Sequence, residues 1–148
     1  MLVTNHVLSG AVVGALAGSP LAALPLGVAS HFVLDCVPHW GKWDSHGTFL
    51  RVAVADGLVG LAAMAALAAA APPARRVAVV AGMVGAALPD LNKPSRLFFG
   101  RSPFPRRVDS FHGRIQDEAP HRFYSHEVTG AVVFAAAYAL LAHRRSRP

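Results

Sequence analysis

The chain has little of what most catalytic or secreted scaffolds are built on. It has a single cysteine, Cys36, among 148 residues. No intrachain disulfide and no thiolate metal pair can therefore form. Cys36 lies in an apolar run and reads as a small packing residue. Charge is scarce as well, at 15% of residues, where soluble domains average about 25%. Several catalytic signatures are missing. There is no Gly-x-Ser-x-Gly elbow and no phosphate loop ending in Lys-Ser or Lys-Thr. His126-Glu127 lacks the second histidine that a zinc-protease helix requires. A basic n-region is also absent and His6 interrupts the first apolar block, so a cleavable signal peptide is not expected.

What fills the chain is apolar. Hydrophobic residues make up 53% and the mean hydropathy is +0.40. They fall into five segments, at about 2–18, 21–37, 49–71, 77–91 and 126–142. Ser19-Pro20, Pro38 and Pro72-Pro73 break the run between them. Ala-Val-Leu-Gly blocks lack the polar stripe of a water-facing helix. The expected fold is thus all-α: one membrane-integral domain of four to five short antiparallel helices. A spanning helix needs about 20 apolar residues. The third segment meets this, the others are marginal, and the fourth is short. The stretch 92–125 reads as one long basic loop, carrying Phe98, Phe99, Phe104 and Phe111 among its arginines. That composition suits an interfacial or lid-like segment. Trp40 and Trp43 read as interfacial anchors.

The formal charge is +6. Its arginines lie between or after apolar blocks, which suits lipid headgroups and argues against nucleic acid. Membrane lipid is the expected partner.

Ionisable groups inside apolar segments cost at least about 2.5 kcal/mol each and are functional candidates by default. Threading the five segments antiparallel brings His6, His31, Asp35, His39, Asp56, Asp90, His126 and Glu127 to one side. The opposite halves hold no ionisable residue before Arg75-Arg76 and the tail from His143. Residues four apart share a helix face, so His31, Asp35 and His39 are expected on one stripe. His31 and His39 would lie about 12 Å apart along the axis, too far to share one ion. Imidazoles and carboxylates without thiolates suit zinc, with manganese or iron as alternatives. His6, His31, Asp35, His39, Asp90 and His126 are the expected metal ligands, and water on such a metal becomes a nucleophile near neutral pH. A carboxylate outside the ligand set is then a general base. His112, in the loop, stands outside this set; His46 and His143 are expected to face solvent. Nine basic residues on the site side against five opposite lean the site towards the cytoplasm.

These residues carry a resemblance. Thr4-Asn5-His6 with Gly10, Ser30 to Asp35 with Pro38-His39, Leu88-Pro89-Asp90-Leu91-Asn92, and His121-Arg122 with Ser125-His126 resemble the bacterial membrane-bound metal-dependent hydrolase family. Asn92 stands where that family's pattern has a second aspartate, and Ser125 where it has threonine. The resemblance implies a small multi-helix inner-membrane protein with metal-dependent hydrolytic activity, and a site at the membrane edge would suit a lipid-like or phosphoester substrate; the same cluster could instead handle ions or protons, or only join helices. Asp56, His121 and Glu127 are the expected catalytic residues.

Overall fold

The computed structural model describes residues 1–145; the end of the basic tail, Ser146 to Pro148, lies outside the described residues. Each apolar segment forms a helix. α1 is Val3–Ala17, α2 Pro20–Asp35, α3 His46–Ala70 and α4 Pro73–Ala87. A 3-10 turn, Leu88–Leu91, follows α4. The segment expected as a loop instead contains two short helices, α5 (Asn92–Phe99) and α6 (Arg106–Ile115). α7 is Thr129–Arg145, entered through a π-helical turn, Phe123–Val128. Two-residue strands β1 (His39–Trp40) and β2 (Glu118–Ala119) pair in parallel, His39 against Glu118.

Local chemistry explains the boundaries. Gly18, at φ 67°, caps α1 in the left-handed conformation and returns its N–H to Gly14. Pro20 and Pro73 open α2 and α4, where a missing N–H costs nothing. Ser45 caps α3 by accepting from the Thr48 N–H at 3.1 Å. Pro38 halts α2 at Asp35. His39 therefore leaves the expected helical stripe and sits on β1.

α1, α2 and α4 form the inner layer, with α3 and α7 packed on α1. The inner helices approach through small residues. A Cβ placed on Gly10 would lie 2.5 Å from the Gly82 carbonyl oxygen. Gly14 faces Ala78, Gly27 faces Gly82, and Gly85 faces Leu24 in the same way. This is the close backbone packing that membrane helices use. Blocks 9–14 and 80–85 look alike in sequence, a likeness that small residues spaced along membrane helices produce by chance, and Gly10 and Gly82 within them are in contact.

The interior is polar and small-sided. His6, His31 and His39 are fully buried, beside Asn5, Asp35, Ala11, Ala23 and Val79. The outside is apolar, with Leu21, Leu58, Leu61 and Val132 more than half exposed. A water-soluble monomer does not present such a surface. α3 and the continuous helix Phe123–His143 are long and apolar enough to cross a membrane. Cys36 is exposed rather than packed.

Tyr138 is buried in α7 and donates to the Leu67 carbonyl of α3 at 3.0 Å. Tyr138→Phe is expected to cost about 0.5–1 kcal/mol, read as a lower melting temperature in detergent with the fold retained.

Candidate metal centre

Five ionisable side chains from four segments meet at one end of the inner layer. α1 supplies His6, α2 supplies His31 and Asp35, the 3-10 turn supplies Asp90, and α6 supplies His112. All five are less than a tenth exposed.

The tightest part is a triangle. His31 Nε2 lies 3.0 Å from His112 Nε2 and 3.1 Å from Asp35 Oδ2, and His112 Nε2 lies 2.9 Å from that same oxygen. On the other carboxylate oxygen, Asp35 Oδ1 is 3.2 Å from His6 Nε2 and 2.9 Å from the Met1 backbone nitrogen. Asp90 Oδ1 closes the cage at 3.6 Å from His112 Nε2 and 3.9 Å from His31 Nε2. The His6 and His31 rings stack at 3.9 Å.

The partners outside the cage orient the ligands. His31 Nδ1 is 2.7 Å from the Ala86 carbonyl, which can only accept. Nδ1 must carry the proton, so the neutral ring turns its Nε2 lone pair into the cage. Gln116 Nε2 donates to Asp35 Oδ2 at 2.8 Å. The far side of Gln116 reaches His39, whose Nε2 is 2.9 Å from Gln116 Oε1 and whose Nδ1 donates to the Val37 carbonyl. Lys93 pairs with Asp90 at 2.8 Å. Phe32 packs edge-on against both His31 and His112.

These donors fit a divalent ion. Ligands about 2.1 Å from a common centre in octahedral array stand about 3.0 Å apart, and somewhat further apart in tetrahedral array. The triangle edges match the octahedral value. Two imidazoles and one carboxylate on a single face are a recurrent ligand set of first-row metals. His6 Nδ1 is buried with no hydrogen-bond partner, while the buried Nε2 faces Asp35 Oδ1 at 3.2 Å. A buried ring nitrogen without a partner calls for an unseen one.

Of the expected ligands, the structure brings together His6, His31, Asp35 and Asp90. His39 is joined to them only through Gln116. His126 is half-buried and bonded to Ser125 Oγ at 2.8 Å, away from the cage. Asp56 and Glu127 hold the first turn of α1 instead. Asp56 accepts from the Val3 N–H at 2.6 Å and the Thr4 N–H at 3.1 Å. These are helix N-terminal donors that lack partners within the helix. Glu127 accepts from Leu2 N, Asn5 Nδ2 and Trp40 N. His121 is exposed. Asn92, at the departure from the family pattern, donates to Asp109 Oδ1 at 3.1 Å and not to the cage.

His112 is the cage residue that the antiparallel threading misses. Its signal lies in Val108, Phe111, His112 and Ile115, spaced i, i+3, i+4, i+7. That spacing is an amphipathic helix inside an apparently polar loop. Asp109 on the same helix fastens α6 to α5 through Arg96 at 2.7 Å. Desolvation alone would raise the Asp109 pKa. Bonds from Asn92, Ser102 and Arg96 outweigh it and hold the carboxyl below its ordinary range.

Residues 54–148 match the sequence model of a family described as YdjM inner membrane protein. The matched part holds Asp90 and His112 and begins after His6, His31 and Asp35. No curated protein and no solved structure matches the chain.

Proposed function

Because the chain belongs to the YdjM inner membrane protein family, we propose that it is a multi-pass membrane metal-dependent hydrolase whose centre is the His6, His31, Asp35, Asp90 and His112 cage. The observation that carries this reading is the triangle of His31 Nε2, His112 Nε2 and Asp35 Oδ2, with edges of 2.9–3.1 Å. The donor types suit zinc, and the octahedral spacing of the triangle suits manganese or iron equally. When bound, such an ion makes a coordinated water acidic enough to act as nucleophile near neutral pH.

The chain's own residues supply the rest. The Ala86 carbonyl keeps His31 in its ligating tautomer. Gln116 fixes the Asp35 carboxylate and ties it to His39. Asp90 is the carboxylate least committed to the triangle, and it is the natural proton acceptor beside it. Lys93, paired with Asp90, is placed to meet an anionic group such as a phosphoester. Asp56 and Glu127 hold α1, and so His6, in register. The excess of basic residues on this side supports a cytoplasmic orientation.

The test is metal content of the purified chain, followed by turnover of a chromogenic phosphoester. One ion or more per chain in the wild type is expected, with none retained by His31→Ala, and hydrolysis should follow metal content. A wild type without metal under metal-replete purification overturns the metal centre. Metal without turnover of any phosphoester or carboxylic ester overturns the hydrolase and leaves an ion-handling protein.

A further inference from the structure

The net charge of this chain is gathered into one short stretch. Of its 14 basic and 8 acidic residues, 93–114 holds six and one, which leaves eight against seven elsewhere. That stretch is the α5–α6 hairpin, which lays His112 on the cage. Within it Lys93 pairs with Asp90 and Arg96 with Asp109. Arg101, Arg106, Arg107 and Arg114 are exposed, and none pairs with an acid among the described residues.

Helical geometry turns these cations outward. At about 3.6 residues per turn, Arg106, Arg107 and Arg114 fall on the side of α6 away from Val108, His112 and Ile115. α5 adds Phe98 and Phe99, which are 74% and 76% exposed. The hairpin leaves from the turn after α4 and returns at the start of the helix Phe123–His143. In an inner-membrane protein it therefore lies where the apolar helices end, level with the headgroups. Exposed Tyr124 marks the same level.

We infer that the outer face of the α5–α6 hairpin binds anionic phospholipid of the membrane in which the chain sits. Phe98 and Phe99 enter the interface, and the four unpaired arginines meet headgroup phosphates. A guanidinium fork matches phosphate geometry. Zwitterionic headgroups bring their own cation, so a cluster of arginines gains most from lipid of net negative charge. Two exposed phenylalanines at the level where hydrocarbon begins favour lipid over nucleic acid. α6 also carries His112 and Gln116, both bonded to Asp35. Lipid on the outer face thus holds these two side chains in place. Control of the metal centre by lipid charge rests on the function proposed above, whereas the surface itself does not.

Hydrogen exchange of the full chain in nanodiscs tests this. One set of discs is pure phosphatidylcholine; in the other, one lipid in four is phosphatidylglycerol. At about fivefold per arginine engaged, amides of the hairpin should exchange at least about tenfold more slowly in the anionic discs. Those of α1 and α4 should not change. High salt should remove the difference. The triple variant Arg106→Gln, Arg107→Gln, Arg114→Gln should remove it too, with all its changes on the exposed face. Phe98→Ser with Phe99→Ser should reduce it; an undiminished difference overturns the insertion of the rings. Equal exchange in the two sets of discs, or a change spread over the whole chain, overturns the surface. Protection of the hairpin by duplex DNA in pure phosphatidylcholine discs, with no response to phosphatidylglycerol, overturns the choice of lipid. No arm requires a bound ion, so failure here leaves the metal test untouched.

Discussion

Asp35→Ala is expected to strip the cage of metal and to destabilise the chain by about 3–5 kcal/mol. The carboxylate is 1% exposed and serves five polar groups at once. Oδ2 is bonded to His112 and Gln116 and lies 3.1 Å from His31; Oδ1 faces His6 and the Met1 nitrogen. Alanine removes the acceptor of Gln116 Nε2 and of the Met1 nitrogen and takes the carboxylate from beside three buried imidazoles. It also opens the triangle at the corner that bridges α2 to α6. Loss of an orienting partner alone typically costs 10- to 100-fold in metal affinity, so loss of the ligand should exceed about 100-fold. Asp35→Asn keeps the shape and supplies a neutral oxygen. It should fold better than alanine and still fail to hold metal at stoichiometry. Metal analysis and thermal melting in detergent read the two effects separately. An alanine variant that keeps both its metal and its melting temperature would remove Asp35 from the centre.

Gly82→Val should be nearly as damaging, with no ligand touched. A Cβ at Gly82 collides with the Gly10 carbonyl oxygen and comes within 2.8 Å of the Gly14 nitrogen. These atoms are helix backbone and cannot turn aside, so α1 and α4 must separate. Overpacking of this kind costs about 1–3 kcal/mol or more. His6 rides on α1 and Asp90 follows α4, so their separation also spreads the donors. The expected result is a lower melting temperature together with weaker metal retention. Gly57→Ala is the control. Nothing lies within 4 Å of a Cβ there, and alanine in a helix should be neutral or stabilising by up to about 1 kcal/mol. Equal melting of Gly82→Val and wild type would mean that the α1–α4 contact is looser than described.

Much of the centre was legible in the sequence, and the parts that were not have identifiable causes. The His31–Asp35 spacing translates directly into a shared helix face, and antiparallel threading brings His6 and Asp90 to the same end. The i+4 rule failed at His39 because it assumes an unbroken helix, and Pro38 ends α2 at Asp35. His126 shares the end but sits beyond the bundle's inner layer, which one-dimensional threading cannot resolve. His112 was hidden by composition: a segment dense in arginine reads as loop, although its apolar residues keep helical spacing. Gln116 carries no charge, so a search for ionisable groups passes over it. The glycine contacts were not legible, because small residues recur along any membrane helix by chance, and only the fold says that these blocks face each other.

The cage has a consequence for biogenesis. Asp35 and His112 are separated by 77 positions, and chains emerge from the ribosome at about 5–20 residues per second. For about 4–15 seconds the nascent protein therefore carries first three and then, with Asp90, four of the five cage residues before His112 is made. On the metal reading proposed above, the half-built cradle would be open to any cation until then, and α6 would act as the bolt as well as a donor.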